Sequence, residues 1–438
     1  MATLTQEERP PLSVEEALVE ADRCLDCGGA AGAPCTVACP AGIDVPGFIR
    51  SIADGDTERA AALIFEENLL GGTCARVCPV EELCEGACVV QHEGRPAIRI
   101  AQLQRFATDQ AFGQDRPATS HPRWTGRRIA VVGAGPAGLV CAGELAARGH
   151  HVTLFEARGE TGGLARFGIA PYRQQREPLP QETRAIAALG VEVVLGVEFA
   201  LPDSLRELEA EYDAIFLGVG MGGDVDVSLP GDDLPEVWDS LPFIEALKTG
   251  AAPEVGDAVI VIGGGNTSID VAREALRLGA RDVTLLYRRS EAEMPAYAHE
   301  VAEARGEGVR FQWLTLPVRI VGDRRVEAVE CRYVRLGEPD ASGRRRPEPV
   351  EGTEFRIPAD TVVKAIGQRP RSEFLSWIDG LELEGSRVKV EPETGRTSNP
   401  KYFAAGDAVT GGATVVEAVR TAKIAARGIH DQLLAGAP

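Results

Sequence analysis

The stretch that most constrains this chain is Ile129-Ala130-Val131-Val132-Gly133-Ala134-Gly135-Pro136-Ala137-Gly138, an apolar strand running straight into Gly-x-Gly-x-x-Gly. Leu139 to Arg148 continue with helical spacing, and a second apolar run, Val152 to Phe155, ends at Glu156. Strand, glycine turn, helix and strand in that order make a complete dinucleotide-binding βαβ unit. Gly133 permits the tight turn, Gly135 lets backbone approach a pyrophosphate, and Gly138 permits close helix–strand packing. Pro136 and Ala137 open the helix, whose unpaired N–H groups face the phosphates, while Glu156 accepts the ribose hydroxyls. A bare glycine pattern could equally be a structural turn; strand, helix and acidic residue in register favour the nucleotide site.

The second half of the chain repeats the signal. Ala258 to Ile262 lead into Gly263-Gly264-Gly265-Asn266-Thr267-Ser268, a helix to about Leu278 and a strand Val283 to Tyr287. The two loops begin 130 residues apart, a spacing that suits two nucleotide domains in one protein. Ser268 stands where a third glycine is usual, and it is small enough for close packing. Where the first unit ends in Glu156, the second ends in Arg288-Arg289. A 2′-phosphate wants arginine where a free ribose wants a carboxylate, so NADPH is expected over NADH. Two solvated surface arginines are the plainer alternative. Near the end, Tyr402 to Asp407 form a short strand closing on Gly406-Asp407, followed by a helix from about Thr414. Two-dinucleotide flavoproteins complete an FAD site in this way, with Asp407 at the ribitol and the helix start at the electron-rich side of the flavin. The first unit is thereby expected to take FAD.

With 438 residues the chain has room for about three domains. Its 46 basic and 66 acidic residues leave a net charge of −20, which argues against nucleic acid or an anionic membrane as partner. Met1 to Pro11 lack a basic region followed by an apolar core, and the apolar uncharged run Ile129 to Gly143 has 15 residues against the ~20 a membrane span needs. A cytoplasmic location with no membrane segment is expected.

Eight of the ten cysteines lie between Cys24 and Cys88. They fall into Cys24-x2-Cys27-x7-Cys35-x3-Cys39-Pro40 and Cys74-x3-Cys78-Pro79-x4-Cys84-x3-Cys88. Thiolates at such intervals converge on one cluster without strain, and Cys-Pro after a spaced run is common in ferredoxin-like segments. Structural zinc prefers paired Cys-x2-Cys knuckles, and only one such pair occurs, so iron–sulfur is expected. Cys141 and Cys331 stand alone and read as small buried apolar residues. Around the cysteines the chain reads as helical: Ser13 with Glu16 makes a capping box for a helix reaching Arg23, and Asp56 or Thr57 caps another running to about Asn68. His121 to Gly126 read as a linker, and Arg344-Arg345-Arg346 as a hairpin tip.

Three blocks carry a family resemblance: the cysteine runs with Cys84-Glu85-Gly86-Ala87-Cys88; Gly133 to Gly138 with Thr161-Gly162-Gly163-Leu164; and Gly263 to Asp270 with Tyr287-Arg288-Arg289. Together they resemble the NADPH-dependent glutamate synthase small subunit and the matching N-terminal half of dihydropyrimidine dehydrogenase, from about Val14 to about Ile429. The resemblance implies FAD, NADPH and two 4Fe-4S clusters, with Gly163 and Leu164 joining the FAD cradle. It also implies crossed ligation, Cys24, Cys27, Cys35 and Cys88 holding one cluster and Cys39, Cys78, Cys84 and Gln104 the other, with Cys74 a spare thiol. One departure is the seven residues between Cys27 and Cys35, a longer loop than the family's usual one.

The implied fold is α+β multidomain: an N-terminal α-helical double 4Fe-4S domain over residues 1–120, then two Rossmann-like α/β dinucleotide-binding domains. The FAD domain is discontinuous, residues 121–250 and 365–438, and the NADPH domain, residues 251–364, is inserted. NADPH delivers hydride, flavin accepts two electrons and releases them singly, and the clusters take one at a time. No general acid or base is needed, so no catalytic side chain is expected and positioning dominates. Cys141 and Cys331 form no redox-active pair, which argues against disulfide reductase chemistry. The implied role is an electron-input oxidoreductase subunit in a hetero-oligomer with a separate catalytic subunit. Leu103-Gln104-Arg105, Gly168 to Tyr172 and Thr397 to Phe403 favour the reductase subunit of a dihydropyrimidine dehydrogenase; the small subunit of NADPH-dependent glutamate synthase is the alternative. A non-catalytic iron–sulfur flavoprotein for assembly or redox sensing is a rival that leaves the arginine pair without purpose.

Overall fold

The computed structural model describes residues 7–112, 124–340 and 343–435. Linker residues His121 to Arg123, the boundary at 120/121 and Met1 to Gln6 of the N-terminal stretch lie outside them. The described chain divides into two units: residues 9–166, 176–221 and 370–435, and residues 7–8, 167–175 and 222–369.

The larger unit opens with helices only, among the described residues up to 112. Val14–Ala21 starts at a complete capping box, the Glu16 N–H donating to the Ser13 hydroxyl and the Ser13 N–H to the Glu16 carboxylate. Thr57–Glu67 is capped by Asp56, whose carboxylate accepts the Arg59 N–H, and it ends at Asn68. Val45–Ala53, Gly71–Val77 and Ile100–Phe112 pack with them around Phe48, Ile52, Ile64, Leu70 and Leu103, all fully buried. Burying such side chains contributes roughly 2 kcal/mol each, and the cysteines of this segment are all free thiols.

A five-stranded parallel sheet completes the unit, in the order Tyr402–Ala404, Ala214–Leu217, Arg128–Val132, His151–Glu156, Glu192–Leu195. Its connection reverses beside Arg128–Val132, whose two neighbours are reached on opposite sides. Such a reversal leaves a crevice at the carboxyl ends of the strands, where ligands bind in open α/β sheets. Pro136–Ala147 follows the first glycine loop, and Val415–Ala435 packs along it. Both are buried in small and apolar residues, Cys141 among them.

The second unit has its own parallel sheet, ordered Val237–Asp239, Thr361–Ala365, Ala258–Gly263, Asp282–Leu286, Arg310–Gln312. Thr361–Ala365 lies inside this sheet, beside Ala258–Gly263. An antiparallel sheet, Thr315–Val321, Ala328–Pro339 and Arg345–Pro358, buries Cys331, and Arg344 and Arg345 sit at its hairpin end. Residues 167–175 dock on the helix Asn266–Arg277. The Tyr172 hydroxyl donates to Asp270 at 2.6 Å, its N–H to Glu274 at 3.0 Å, and the Arg273 and Arg277 guanidinium groups lie 4.4 and 4.5 Å from its ring centre. No periodicity signals this dock, because it joins residues about a hundred positions apart.

In the larger unit His150, 3% exposed, shares a 2.8 Å hydrogen bond with His430 and accepts or donates another to the Thr125 hydroxyl at 2.9 Å. Burial, then His430 and Arg148, push the His150 pKa down to about 4. A histidine held below its unfolded value near 6.5 stabilises the fold above that value and loses its contribution as pH falls toward the folded one. Thermal melts of the protein should therefore weaken between about pH 6.5 and 4, by on the order of 3 kcal/mol from this residue. His150→Gln should flatten that slope; an unchanged slope refutes the assignment.

Candidate functional site

The first glycine loop is held by backbone contact. Gly133 has φ +97°, and a Cβ there would sit 2.6 Å from the Gly218 carbonyl oxygen; one at Gly138 would sit 1.8 Å from that of Gly133. Both positions therefore exclude any side chain. Gly135 differs: at φ −71° its Cβ would meet only the Gly163 Cα at 3.9 Å, so one face of the loop opens onto space. Pro136 takes the first helical turn, and no side chain caps that helix, leaving N–H groups at Ala137 and beyond directed at the same opening. The backbone conformation fits a dinucleotide pyrophosphate.

Other expected residues converge here. Gly163 faces Gly135, its Cβ position 3.0 Å from the Gly135 Cα, with Leu164 next along the helix Gly163–Phe167. Gly406, at φ +66°, brings its Cβ position within 2.8 Å of the Ala137 methyl, so the Gly-Asp turn reaches the loop from 270 residues away. Asp407 accepts the Ala413 N–H at 3.0 Å, and burial raises its pKa while that bond and the Thr410 hydroxyl oppose the shift. Thr414 caps Val415–Ala435, its hydroxyl accepting the Glu417 N–H at 3.2 Å. Glu156 has work besides ribose: its carboxylate accepts the N–H groups of Ala134 at 2.8 Å and Arg158 at 2.9 Å, bracing the loop. Gly218 went unnoticed in the sequence, although an apolar strand ending in glycine at Leu217-Gly218 is the signal that marks it.

The second loop repeats the arrangement. A Cβ at Gly263 would sit 2.2 Å from the Ala365 carbonyl oxygen and one at Gly264 2.3 Å from the Tyr287 ring, whereas one at Gly265 meets nothing within 4 Å. Gly265 precedes Asn266–Arg277, whose first turn has no side-chain cap and carries Asn266 and Thr267. Asn266 is engaged, accepting the Tyr297 N–H at 3.0 Å. Ser268 is fully buried and its hydroxyl donates to the Gly265 carbonyl at 2.6 Å, which is how serine serves in the third glycine's place. The arginine pair divides. Arg288 is exposed at the strand end; Arg289 is 4% exposed and donates to the Arg345 carbonyl at 2.8 Å and to Asp340 at 3.2 Å. Both lie in the bend that follows the strand Asp282–Leu286, one open to solvent and one turned in against the hairpin, a split that adjacency in sequence conceals.

The thiols line two hollows. One is bounded by Cys24, Cys27, Cys35 and Cys88, the other by Cys39, Cys74, Cys78, Cys84 and Gln104. Burial pushes the Cys35 thiol up to about 11 and raises those of Cys24, Cys39 and Cys84; Cys78 is raised by its contact with Cys74 and then by burial. Such thiols ionise only against a bound cation, and four soft sulfur donors around one hollow fit iron–sulfur ligation. Among the described residues no three His, Cys, Asp or Glu side chains meet as a single-ion site. The long Cys27–Cys35 segment does not displace Cys35 from its hollow. Cys74, expected as a spare, lies buried at the second hollow beside Gln104, whose Nε2 donates to the Gly71 carbonyl at 2.6 Å and so leaves Oε1 as the atom available for ligation. Among the described residues no helix is long and apolar enough to cross a membrane.

A family model described as dihydropyrimidine dehydrogenase domain II, 4Fe-4S cluster, matches residues 2–116, and one described as pyridine nucleotide-disulphide oxidoreductase matches residues 127–422. The glutamate synthase (NADPH) small chain of Halomonas elongata is 40% identical over 97% of this chain and 92% of its own length. That of Escherichia coli K12 is 37% identical over 97% of this chain and 93% of its own. Among solved structures, Mycobacterium tuberculosis FprA in complex with NADPH shares the fold, with a TM-score of 0.58 at 21% identity over 71% of this chain and 86% of that one.

The two kinds of glycine separate folding from binding. Gly135→Val should purify with its melting temperature within a few degrees of the parent, since a Cβ there meets open space, and should lose at least about tenfold in FAD affinity, or ~1.4 kcal/mol. Gly138→Val should not fold. Retention of full flavin absorbance by Gly135→Val would contradict the assignment.

Proposed function

Because the chain belongs to the family of NADPH-dependent, FAD- and iron–sulfur-containing oxidoreductase subunits that includes the glutamate synthase small chain, we propose that it is the electron-input subunit of an NADPH-dependent glutamate synthase. The relatives matched along almost their whole length carry that name. The expectation that favoured a dihydropyrimidine dehydrogenase reductase subunit yields to them: that name attaches only to the model matching residues 2–116, a cluster module that both enzymes share. One of the short stretches that favoured it, Gly168 to Tyr172, forms the dock on Asn266–Arg277 and serves this chain's own fold.

When bound, FAD would supply the conversion between two-electron hydride acceptance from NADPH and one-electron delivery to the clusters. The chain's residues position the partners. Gly263, Gly264 and Gly265 with the helix start at Asn266 and Thr267 hold the NADPH pyrophosphate, and Arg288 meets the 2′-phosphate while Arg289 braces it from the hairpin. Gly133, Gly135, Pro136, Ala137, Gly138, Gly163 and Leu164 cradle the FAD pyrophosphate, Glu156 the ribose, Gly406 and Asp407 the ribitol, and the helix start at Thr414 the flavin. Cys24, Cys27, Cys35 and Cys88 hold one cluster, and Cys39, Cys78, Cys84 and Gln104 the other. The observation that carries this reading is that Val416, two residues beyond Thr414, lines the second hollow. The flavin end of the FAD site and that hollow would thus share one helix start, which supports placing FAD and this cluster as neighbours.

Anaerobic NADPH should bleach the flavin of the purified protein; failure to do so sinks the enzyme reading. Arg288→Ala should raise the KM for NADPH about tenfold or more, ~1.4 kcal/mol, and leave that for NADH unchanged. Equal losses for both would remove the 2′-phosphate role. Gln104→Ala should perturb one cluster's electron paramagnetic resonance signal and Cys74→Ser neither; iron loss in Cys74→Ser would make Cys74 the fourth ligand instead. Purifying the native complex decides the partner: a glutamine amidotransferase subunit supports this reading, and a pyrimidine reductase overturns it.

A further inference from the structure

We infer that Asn68 sets the reduction potential of the cluster in the second hollow by donating a hydrogen bond from its side-chain amide to a sulfur there, an inference that rests on the reading that this hollow holds a 4Fe-4S cluster. Asn68 is 1% exposed and lines the hollow with Cys39, Cys78, Cys84 and Gln104. Its backbone is fully committed, the N–H donating to the Ile64 carbonyl at 2.9 Å and the carbonyl accepting the Gly71 N–H at 2.9 Å. Its Oδ1 accepts the Leu70 N–H at 2.9 Å. Because a backbone N–H can only donate, that bond decides which end of the amide is oxygen, and the nitrogen faces the other way. Nδ2 is buried and has no acceptor among the described residues.

A buried amide donor without a partner costs roughly 1–3 kcal/mol, so something must occupy that position. Water is poorly suited, since Ile43, Val80, Leu83 and Val416 make much of the lining apolar and a buried water needs two to four polar partners. The negatively charged sulfurs of a cluster and its thiolates supply the acceptor. A hydrogen bond to those sulfurs favours the reduced state, which carries one more negative charge, and raises the potential. Gln104 is placed differently: its nitrogen is anchored to the Gly71 carbonyl, and its Oε1 is the atom available to the cluster. Asn68 is thereby a tuning residue and not a ligand.

Asn68→Asp tests this in the full chain with FAD and both clusters bound. Aspartate keeps an oxygen for the Leu70 N–H, removes the donor and adds negative charge. Iron and FAD content should match the parent, and a redox titration followed by electron paramagnetic resonance should show one cluster about tenfold harder to reduce, a downward shift of about 59 mV for one electron, with the other unmoved. Asn68→Ala, which lacks the added charge, should shift the same cluster in the same direction by less, and it decides the matter if Asn68→Asp does not retain iron. Unchanged potentials with both clusters intact, or equal shifts in both, would overturn the inference while leaving the cluster assignment standing. Absence of a second cluster from the parent protein would overturn the site reading itself and this inference with it.

Discussion

Backbone packed against backbone is what the larger unit depends on. Gly133, Gly138 and Gly218 meet where the Arg128–Val132 strand turns into the helix Pro136–Ala147, and no β-carbon fits at any of the three without moving main chain. That closeness lets helix and strand form a crevice narrow enough for main-chain N–H groups to reach a ligand. Once it is made, Gly163 can approach Gly135 and Gly406 can approach Ala137, so that chain from three distant places lines one cradle. Glu156 locks the arrangement by accepting the Ala134 N–H, which puts the acidic residue at the end of the second strand in charge of the loop's shape.

The helix Val415–Ala435 carries this geometry toward the cysteines. Its start is fixed by Thr414, and the ammonium of Lys423 on the same helix binds the Ala41 carbonyl at 3.1 Å and the Glu67 carbonyl at 2.8 Å. Ala41 follows Cys39 closely and Glu67 adjoins Asn68, so one rigid helix registers the FAD cradle against the second hollow. Glu182 does similar service from another helix, accepting the N–H of Thr73 at 2.9 Å at the otherwise uncapped start of Gly71–Val77. Burial raises the Glu182 pKa to about 7 in spite of those bonds, a cost tolerated where position matters more than stability. Electron transfer asks for such rigidity, because the protein contributes placement and environment while the cofactors supply the chemistry.

In the second unit the same loop logic holds a different ligand with different means. Ser268 spends its hydroxyl on the Gly265 carbonyl, and the Tyr172 ring, wedged between Asp270, Arg273 and Arg277, secures the back of the nucleotide-binding helix. Buried ion pairs of this kind seldom add net stability, but breaking one partner away leaves an uncompensated charge, so they specify one arrangement strongly. Arg289 belongs to the same class, committed to Asp340 and the Arg345 carbonyl.

Local pattern was enough to read the elements. Both βαβ units, the capping box at Ser13, the Asp56 cap and the burial of Cys141 and Cys331 were legible because each depends on residues within a few positions of one another, where periodicity and hydrogen-bonding chemistry leave few alternatives. The two sets of thiols come together crosswise, as the family resemblance implies and spacing alone does not, with Cys74 joining the second set. What the linear order could not contain is convergence. It made Arg288 and Arg289 look equivalent, set Cys74 aside, and gave Asn68, Gly218 and Glu182 no mark at all. Those differences arise only when a bend in the folded chain sends neighbouring side chains to different surroundings and when packing removes water from particular polar atoms, leaving each to find its partner in the fold. The sequence by itself determined which cofactors this chain is built to hold; the tertiary structure decided which side chains converge on the glycine loop and the two hollows and which merely hold those side chains in place.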